Sequence, residues 1–362
     1  MTIKTDELRT SMIRHIISPA QLEKNIPLPI EVIDFVSSSR QRVVNILSGK
    51  DKRLLIIIGP CSIHDAEAAL DYSKQLKLLQ DKYINELVLV MRVYFEPPQE
   101  LTNWKGFVSD PDLDNSFEIE KGLHSARTLL LEINKLGLAT GTEFFNTTTS
   151  NYFSDLISWS SVSTNTVESQ IHRELASILP CPVGFENNTD GSINIAMDAI
   201  KAASNPQVLF SQNKHGQMRT IQTPGNLYPH LILKDGGELN YSTNDIKKTT
   251  EILTASDFYQ KVIIDCNHLN YLKEHNSQLD IARSVSKRIK ECSTNISGII
   301  LKSFLVEGKQ EITATQSITY GQSITNACID LNQADSILLM LSQTVKDKHN
   351  RREIMPNSVV HA

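Results

Sequence analysis

Short runs of apolar and β-branched residues, each ending in polar or glycine positions, recur along this chain and alternate with longer helical patterns. The runs are Leu54–Ile63, Leu87–Phe95, Leu138–Phe145, Leu156–Thr164, Pro182–Asn187, Val208–Gln212, Tyr228–Lys234, Val262–His268 and Gly298–Leu305. Near-continuous hydrophobicity over so few residues is what strands buried on both faces need, and it predicts a parallel sheet with crossover helices. Helical patterns lie at Ile30–Leu47, Ala66–Lys82, Ser116–Leu136, Ile195–Ala203, Asn244–Ala255, Leu279–Cys292 and Asn326–Val345. Nine runs are one more than a closed eight-stranded barrel uses. The sixth is followed by NKHGQMRTIQTPGN, whose His215–Gly216 step and alternating MRTIQT predict a hairpin return, so Gln207–Thr223 is assigned to an inserted β-hairpin. Eight strands remain. The expectation is an α/β protein, a (β/α)8 TIM barrel. Residues 1–50 are expected to be an N-terminal extension that caps the barrel or makes an oligomer contact, 51–345 the barrel, and 346–362 a C-terminal tail.

Composition narrows the class. At 362 residues and 40% hydrophobic content the chain can bury a large core. Its formal charge of -5 is small, and Lys and Arg are scattered, so no basic stripe for nucleic acid is present. MTIKTDELRTSMIRHI carries charges throughout and lacks an apolar signal core, and no run approaches the roughly 18 apolar residues of a membrane span, so a cytoplasmic protein is expected. The 5 cysteines are odd in number and lack C-x-x-C spacing, which argues for reduced thiols rather than a disulfide framework or a structural zinc site.

In such barrels the chemistry gathers at the C-terminal ends of the strands. Those ends carry Cys61, Arg92, Glu143, Asn165, Glu186, Lys234, Asp265, His268 and Lys302. Cys61 and His268 are two ligand types that suit a transition metal when a carboxylate completes the set. Strand eight instead ends in Lys302, whose ammonium has no lone pair to give and repels a cation.

The segments GPCSIHD (Gly59–Asp65), MRVYFE (Met91–Glu96), NWKGFVSDPDLDNSF (Asn103–Phe117), VESQIHRELAS (Val167–Ser177), CPVGFENNTDG (Cys181–Gly191), LVEGKQ (Leu305–Gln310) and YGQSITNACID (Tyr320–Asp330) resemble the metal-dependent, bacterial-type 3-deoxy-7-phosphoheptulonate (DAHP) synthases. The resemblance runs from Asp6 to about Val345. It implies a (β/α)8 barrel that condenses phosphoenolpyruvate with erythrose 4-phosphate around a divalent metal held by Cys, His, Glu and Asp. Carried over, Cys61 and His268 match two ligands, whereas the Glu is here Lys302 and the Asp is Asn326. Buried unpaired charges cost on the order of several kcal/mol each, so the resemblance implies an incomplete metal site. The family's phosphate-binding segment after strand two reads Pro97, Pro98, Gln99, Glu100, its strand-four arginine is Asn165, and its strand-five lysine is Glu186. Arg92 and Lys105 are retained, and Lys234 replaces an arginine, which removes a planar fork for phosphate. Glu7, Thr147, Ser150 and Pro180 stand where the family's feedback site leads one to expect other residues.

Three readings follow. The first is a diverged aldol-type enzyme acting on a ketoacid or similar carbonyl substrate, with Lys302 as Schiff-base amine, His268 or Glu143 moving protons, and Asp265 orienting or Glu186 pairing with the amine. The second is an inactive paralogue that binds a metabolite or partners an active DAHP synthase. The third is DAHP synthesis itself, in the shikimate pathway to aromatic amino acids. No cofactor is expected unless a compensated site, with Asp265 assisting, holds a divalent metal. A homo-oligomer, dimer or tetramer, is expected, with neither nucleic acid nor membrane as partner.

Overall fold

The computed structural model describes residues 8–97, 104–234, 243–256, 258–259, 261–267, 277–290, 295–312 and 317–354. Its strands in chain order are β1 (Leu54–Gly59), β2 (Leu87–Arg92), β3 (Ala139–Glu143), β4 (Trp159–Val162), β5 (Val183–Glu186), β6 (Gln207–Gln212), β7 (Met218–Thr223), β8 (Pro229–Leu233), β9 (Val262–Asp265), β10 (Ile296–Lys302), β11 (Val306–Lys309) and β12 (Gln322–Ser323). The helices are α1 (Pro19–Asn25), α2 (Ile30–Leu47), α3 (Ala66–Lys82), α4 (Ile119–Lys135), α5 (Ser150–Phe153), α6 (Gln170–Ile178), α7 (Asn194–Ser204), α8 (Thr243–Ala255), α9 (Ser277–Lys290) and α10 (Leu331–Ile354).

Eight strands close a parallel barrel in the order β1-β10-β9-β8-β5-β4-β3-β2. Each is buried along its length except at Lys302, the last residue of β10. That two-sided burial is why the sequence shows runs rather than alternation. β6 and β7 pair only with each other, antiparallel, from Gln207↔Thr223 to Gln212↔Met218, and form the expected inserted hairpin. Removing them from the count lets β8 pair directly with β5, which brings strand ends far apart in sequence side by side.

Two apolar layers hold the barrel. One lies between the strands and the surrounding helices. The other fills the interior, where Leu55, Ile57, Val88, Val90, Trp159, Ile232, Ile263 and Ile300 meet Val43, Ile46 and Leu47 of α2. Helix α2 therefore covers the N-terminal end of the barrel, and Arg40 fastens it there by donating to the Ile157 and Ser154 carbonyls at 2.9 and 2.7 Å. Within the barrel the Trp159 indole N–H donates to His230 Nε2 at 3.1 Å. Burial pushes His230 down to about 4, which keeps that ring neutral and able to accept.

The structure corrects several boundaries. Asn326 is not helical. The last helix starts at Leu331 because Asp330 and Gln333 cap it reciprocally, Gln333 N–H to Asp330 Oδ1 at 2.8 Å and Asp330 N–H to Gln333 Oε1 at 3.0 Å. The fourth run yields only β4, since Ser154–Leu156 turns as a 3-10 helix before it. Helix α6 and the small parallel pair β11–β12 were not anticipated; the two strands are too short to impose a period on their sequences. Among the described residues no helix is long and apolar enough to cross a membrane.

Candidate active site

The C-terminal ends of β1, β2, β3, β5, β8, β9 and β10 place seven ionisable side chains around one mouth: Cys61 just after β1, Arg92, Glu143, Glu186, Lys234 just after β8, Asp265 and Lys302. Barrel geometry converges them, because neighbouring strands are in register to their ends, as in Gly59↔Lys302 and Glu186↔Ile232.

Arg92 is buried, with Nε donating to the Pro60 carbonyl at 3.3 Å and Nη2 to the Cys61 carbonyl at 3.2 Å. Its guanidinium lies 3.7 Å from the centre of the Tyr94 ring, a cation–π contact that fixes the plane. Gly59 permits this approach, since a Cβ there would sit 2.7 Å from the Arg92 carbonyl oxygen.

Cys61 is buried beside two cations. Burial disfavours its thiolate, but the Lys302 ammonium and then the Arg92 guanidinium outweigh it, so the thiol is held below its ordinary value. Cys328, nearby, is pushed up to about 12 by burial and stays a thiol. Lys302 is held through its backbone: its N–H donates to Gln278 Oε1 at 2.8 Å, and Gln278 Nε2 donates to its carbonyl at 3.1 Å.

The opposite side is built on one ion-paired cluster. Lys234 Nζ lies 3.3 Å from Glu186 Oε2 and 4.0 Å from Asp265 Oδ2, with side chains only 19%, 11% and 5% exposed. Glu186 also accepts from the Thr164 N–H at 3.1 Å and hydroxyl at 3.0 Å. Burial alone would raise the Glu186 carboxyl, but Lys234 and the Thr164 donors prevail and hold it below the carboxylate range. Glu143 behaves oppositely. Burial, joined by the Glu186 charge, pushes it up to about 8 despite donation from the Ser163 N–H at 2.8 Å. Two carboxyls of one mouth are thus driven apart, one anionic and one protonated near neutrality, the arrangement a proton donor needs. Asp265 accepts from the Asn267 N–H at 3.0 Å and from its side-chain amide.

Most strand-end residues picked out from the sequence are therefore gathered here. The expected pairing of Glu186 with Lys302 is corrected: Glu186 is engaged by Lys234, whose strand is its direct neighbour, whereas Lys302 stands beside Cys61. Lys105 and Asn165 are exposed, and among the described residues neither hydrogen-bonds to the cluster. Asn326 is half-buried, and its carbonyl takes the Cys328 thiol at 3.6 Å. His268 lies outside the described residues, as do Pro98, Gln99, Glu100 and Glu7. Sequence reading picked out Thr164 at the end of strand four but missed Gln278 and Ser163, which also position the charged groups; only nearness to a strand end could have flagged Ser163.

Of the ligand types that the resemblance implies, Cys61 has an ammonium and a guanidinium as charged neighbours, and His268 lies outside the described residues.

The sequence model of the DAHP synthetase I family matches residues 23–339. The chain is 44% identical over 345 residues, 95% of its length and 99% of the relative's, to "Phospho-2-dehydro-3-deoxyheptonate aldolase, Trp-sensitive" of Enterobacter agglomerans. It is 47% identical over 337 residues, 93% and 96% of the two lengths, to the protein of that name from Buchnera aphidicola subsp. Schizaphis graminum. A solved structure of phospho-2-dehydro-3-deoxyheptonate aldolase from Francisella tularensis SCHU S4 superposes with a TM-score of 0.90 at 39% identity, covering 93% of this chain and 99% of that one. A matched span of this extent, on a closed eight-stranded barrel of the kind the resemblance implies, means that this chain belongs to the DAHP synthetase I family.

Proposed function

We propose that this barrel mouth is the seat of a DAHP-type aldol condensation, serving aromatic amino acid biosynthesis as the names of its relatives suggest. The observation that carries this reading is identity of 44–47% along 93–95% of the chain to proteins named phospho-2-dehydro-3-deoxyheptonate aldolase. Those comparisons favour DAHP synthesis over the ketoacid enzyme that the strand-end residues first suggest. In such a condensation C3 of phosphoenolpyruvate attacks the aldehyde carbon, the aldehyde oxygen takes up a proton, water adds at C2, and inorganic phosphate leaves as the keto group forms. Glu143, raised to about 8, carries that proton at neutral pH. Arg92 and Lys302 supply positive charge for the substrate's acid groups, and Lys234 keeps Glu186 anionic while standing 4.0 Å from Asp265. The extension over residues 1–50 serves as the cap of the barrel's far end, supported by the packing of Val43, Ile46 and Leu47 into its interior. The test is incubation of the purified protein with phosphoenolpyruvate and erythrose 4-phosphate, with chelator or with added divalent ion. Seven-carbon product is expected, and none under either condition refutes the reading; its loss with chelator shows that a compensated site holds a divalent ion.

A second reading is favoured by Glu186 and Lys302. A buried carboxylate where the family resemblance places a lysine repels a phosphate dianion, and an amine at a strand end suits Schiff-base chemistry. On this reading the substrate is a ketoacid without phosphate. Borohydride trapping of pyruvate on the wild type but not on Lys302→Ala supports it, and no adduct removes it. Neither product nor adduct leaves a binding protein, the remaining reading of the sequence.

A further inference from the structure

The two lysines of the mouth stand at equivalent places in the barrel. The ladder between β5 and β8 has its last rung at Glu186↔Ile232, and Lys234 follows two residues after Ile232. The ladder between β9 and β10 has its last rung at Ile300↔Asp265, and Lys302 follows two residues after Ile300. Alternate residues of a strand turn their backbone groups toward the same neighbour. The Ile232 carbonyl accepts from the Asn187 N–H at 3.2 Å, and the Ile300 carbonyl from the Cys266 N–H at 3.0 Å. Lys234 and Lys302 therefore point their backbones the same way, past the end of that neighbour, where buried N–H and C=O groups still need partners. In both places a side-chain amide takes over. Asn187 Oδ1 accepts from the Lys234 N–H at 2.6 Å, and Asn187 Nδ2 donates to the Lys234 carbonyl at 3.0 Å. Gln278 makes the same two bonds to Lys302, at 2.8 and 3.1 Å.

We infer that Asn187 and Gln278 are positioning residues, each fixing the backbone from which one lysine of the mouth reaches its partners. The inference rests on the mouth being the seat of the reaction proposed above. A primary amide offers an acceptor and a donor side by side, as a peptide group does, so it can stand in for a neighbouring strand at one residue. It does so without charge, and the balance of cations and carboxylates in the mouth is left as it is. Both amides are inside the protein, Asn187 fully buried and Gln278 2% exposed. Asn187 directly follows Glu186, and its own carbonyl accepts from the Thr164 hydroxyl at 3.0 Å. One residue thus ties together the chain just past β4, β5 and β8, the segments that bring Lys234 Nζ within 3.3 Å of Glu186. Gln278 lies in the first turn of α9 and ties that helix to the end of β10, where Lys302 stands beside Cys61; the Lys302 carbonyl also accepts from the Ile329 N–H at 3.0 Å. A lysine carries its charge on a flexible four-carbon stem, so the ammonium is placed no better than the Cα beneath it.

The test is reductive methylation of the full chain with formaldehyde and cyanoborohydride, followed at Lys234 and Lys302 by peptide mass spectrometry in wild type, Asn187→Leu and Gln278→Met. Both substitutions keep the side chain's approximate shape and remove its hydrogen-bonding groups. A crossed pattern is expected. Asn187→Leu changes the rate at Lys234 by at least about threefold and leaves Lys302 as it was, and Gln278→Met does the reverse, since one uncharged hydrogen bond is worth a factor of about two to ten. Amides that merely hold the fold together would change both lysines alike or neither, and either result overturns the inference. Circular dichroism checks folding; Asn187→Ser and Gln278→Asn, whose shorter polar groups cannot bridge both backbone atoms, replace a variant that fails to fold. In the condensation assay Gln278→Met should raise KM for phosphoenolpyruvate by at least about threefold with a smaller change in kcat, because Lys302 offers its charge to the bound substrate. An unchanged KM overturns the role of Gln278. Wild type that makes no product removes the proposed reaction instead, and the methylation pattern then decides both clamps by itself.

Discussion

Replacing Lys234 by Met tests the electrostatic design of the mouth directly. The side chain sits 3.3 Å from Glu186 and 4.0 Å from Asp265, and all three are mostly removed from water. Taking one partner from a buried pair costs about 3–5 kcal/mol because it strands an uncompensated charge. Here the Thr164 N–H and hydroxyl still donate to Glu186, and Asn267 to Asp265, so the expected loss is smaller, about 2–3 kcal/mol at pH 8. The pH dependence separates this cause from lost packing. In the wild type Glu186 is held below its unfolded value, so its contribution is present above that value and fades as pH falls through the folded one. Without Lys234 burial prevails, the carboxyl titrates upward, and protonation relieves the stranded charge. The gap between wild type and variant therefore narrows as pH falls from 8 to 5. Urea unfolding followed by circular dichroism at both values measures it. A loss below about 0.5 kcal/mol at pH 8, the size of a surface ion pair, refutes the reasoning; so does a gap that does not change with pH.

Other expectations follow from the same contacts. Glu143 has its folded value raised to about 8, so folding holds a proton that the unfolded chain releases, and stability falls as pH rises from the unfolded value through 8. Glu143→Gln removes that loss: near-neutral at pH 5, it gains about 1–3 kcal/mol over wild type at pH 9 in urea titrations, while condensing activity drops. Gly59→Ala drives a Cβ to 2.7 Å from the Arg92 carbonyl and 3.0 Å from its amide nitrogen, where backbone must move; a loss of about 1–3 kcal/mol is expected, with weaker phosphoenolpyruvate binding as Arg92 shifts. Ile46→Ala empties a fully buried position at the covered end of the barrel and should cost about 2–5 kcal/mol by the same unfolding assay, without altering pyruvate trapping.

The barrel was legible because its strands are short, apolar and buried on both faces, and because His215–Gly216 marks the hairpin that has to be set aside before eight remain. Cys61, Arg92, Glu143, Glu186, Lys234, Asp265 and Lys302 could be named for the same reason, as polar residues ending such runs. Their pairing could not. Whether Glu186 meets Lys234 or Lys302 depends on which strands are neighbours, and the detour through β6 and β7 makes β8 the neighbour of β5 across more than forty intervening residues. Likewise nothing local announces that Gln278 of α9 clamps the backbone of Lys302. Charge sign is written in sequence, whereas protonation is not: Glu143 and Glu186 read alike as letters, and their opposite tuning comes from Lys234 and from burial.

The seam between β1 and β10, registered from Leu55↔Gly298 to Gly59↔Lys302, joins segments near opposite ends of the polypeptide. During synthesis the first strand leaves the ribosome long before its partner exists, so the growing sheet presents two unsatisfied edges until the last strand arrives. Such a nascent chain is a natural client for chaperones. A stop codon anywhere before the tenth strand would yield a sheet that cannot close, a species prone to edge-to-edge association rather than a smaller working barrel.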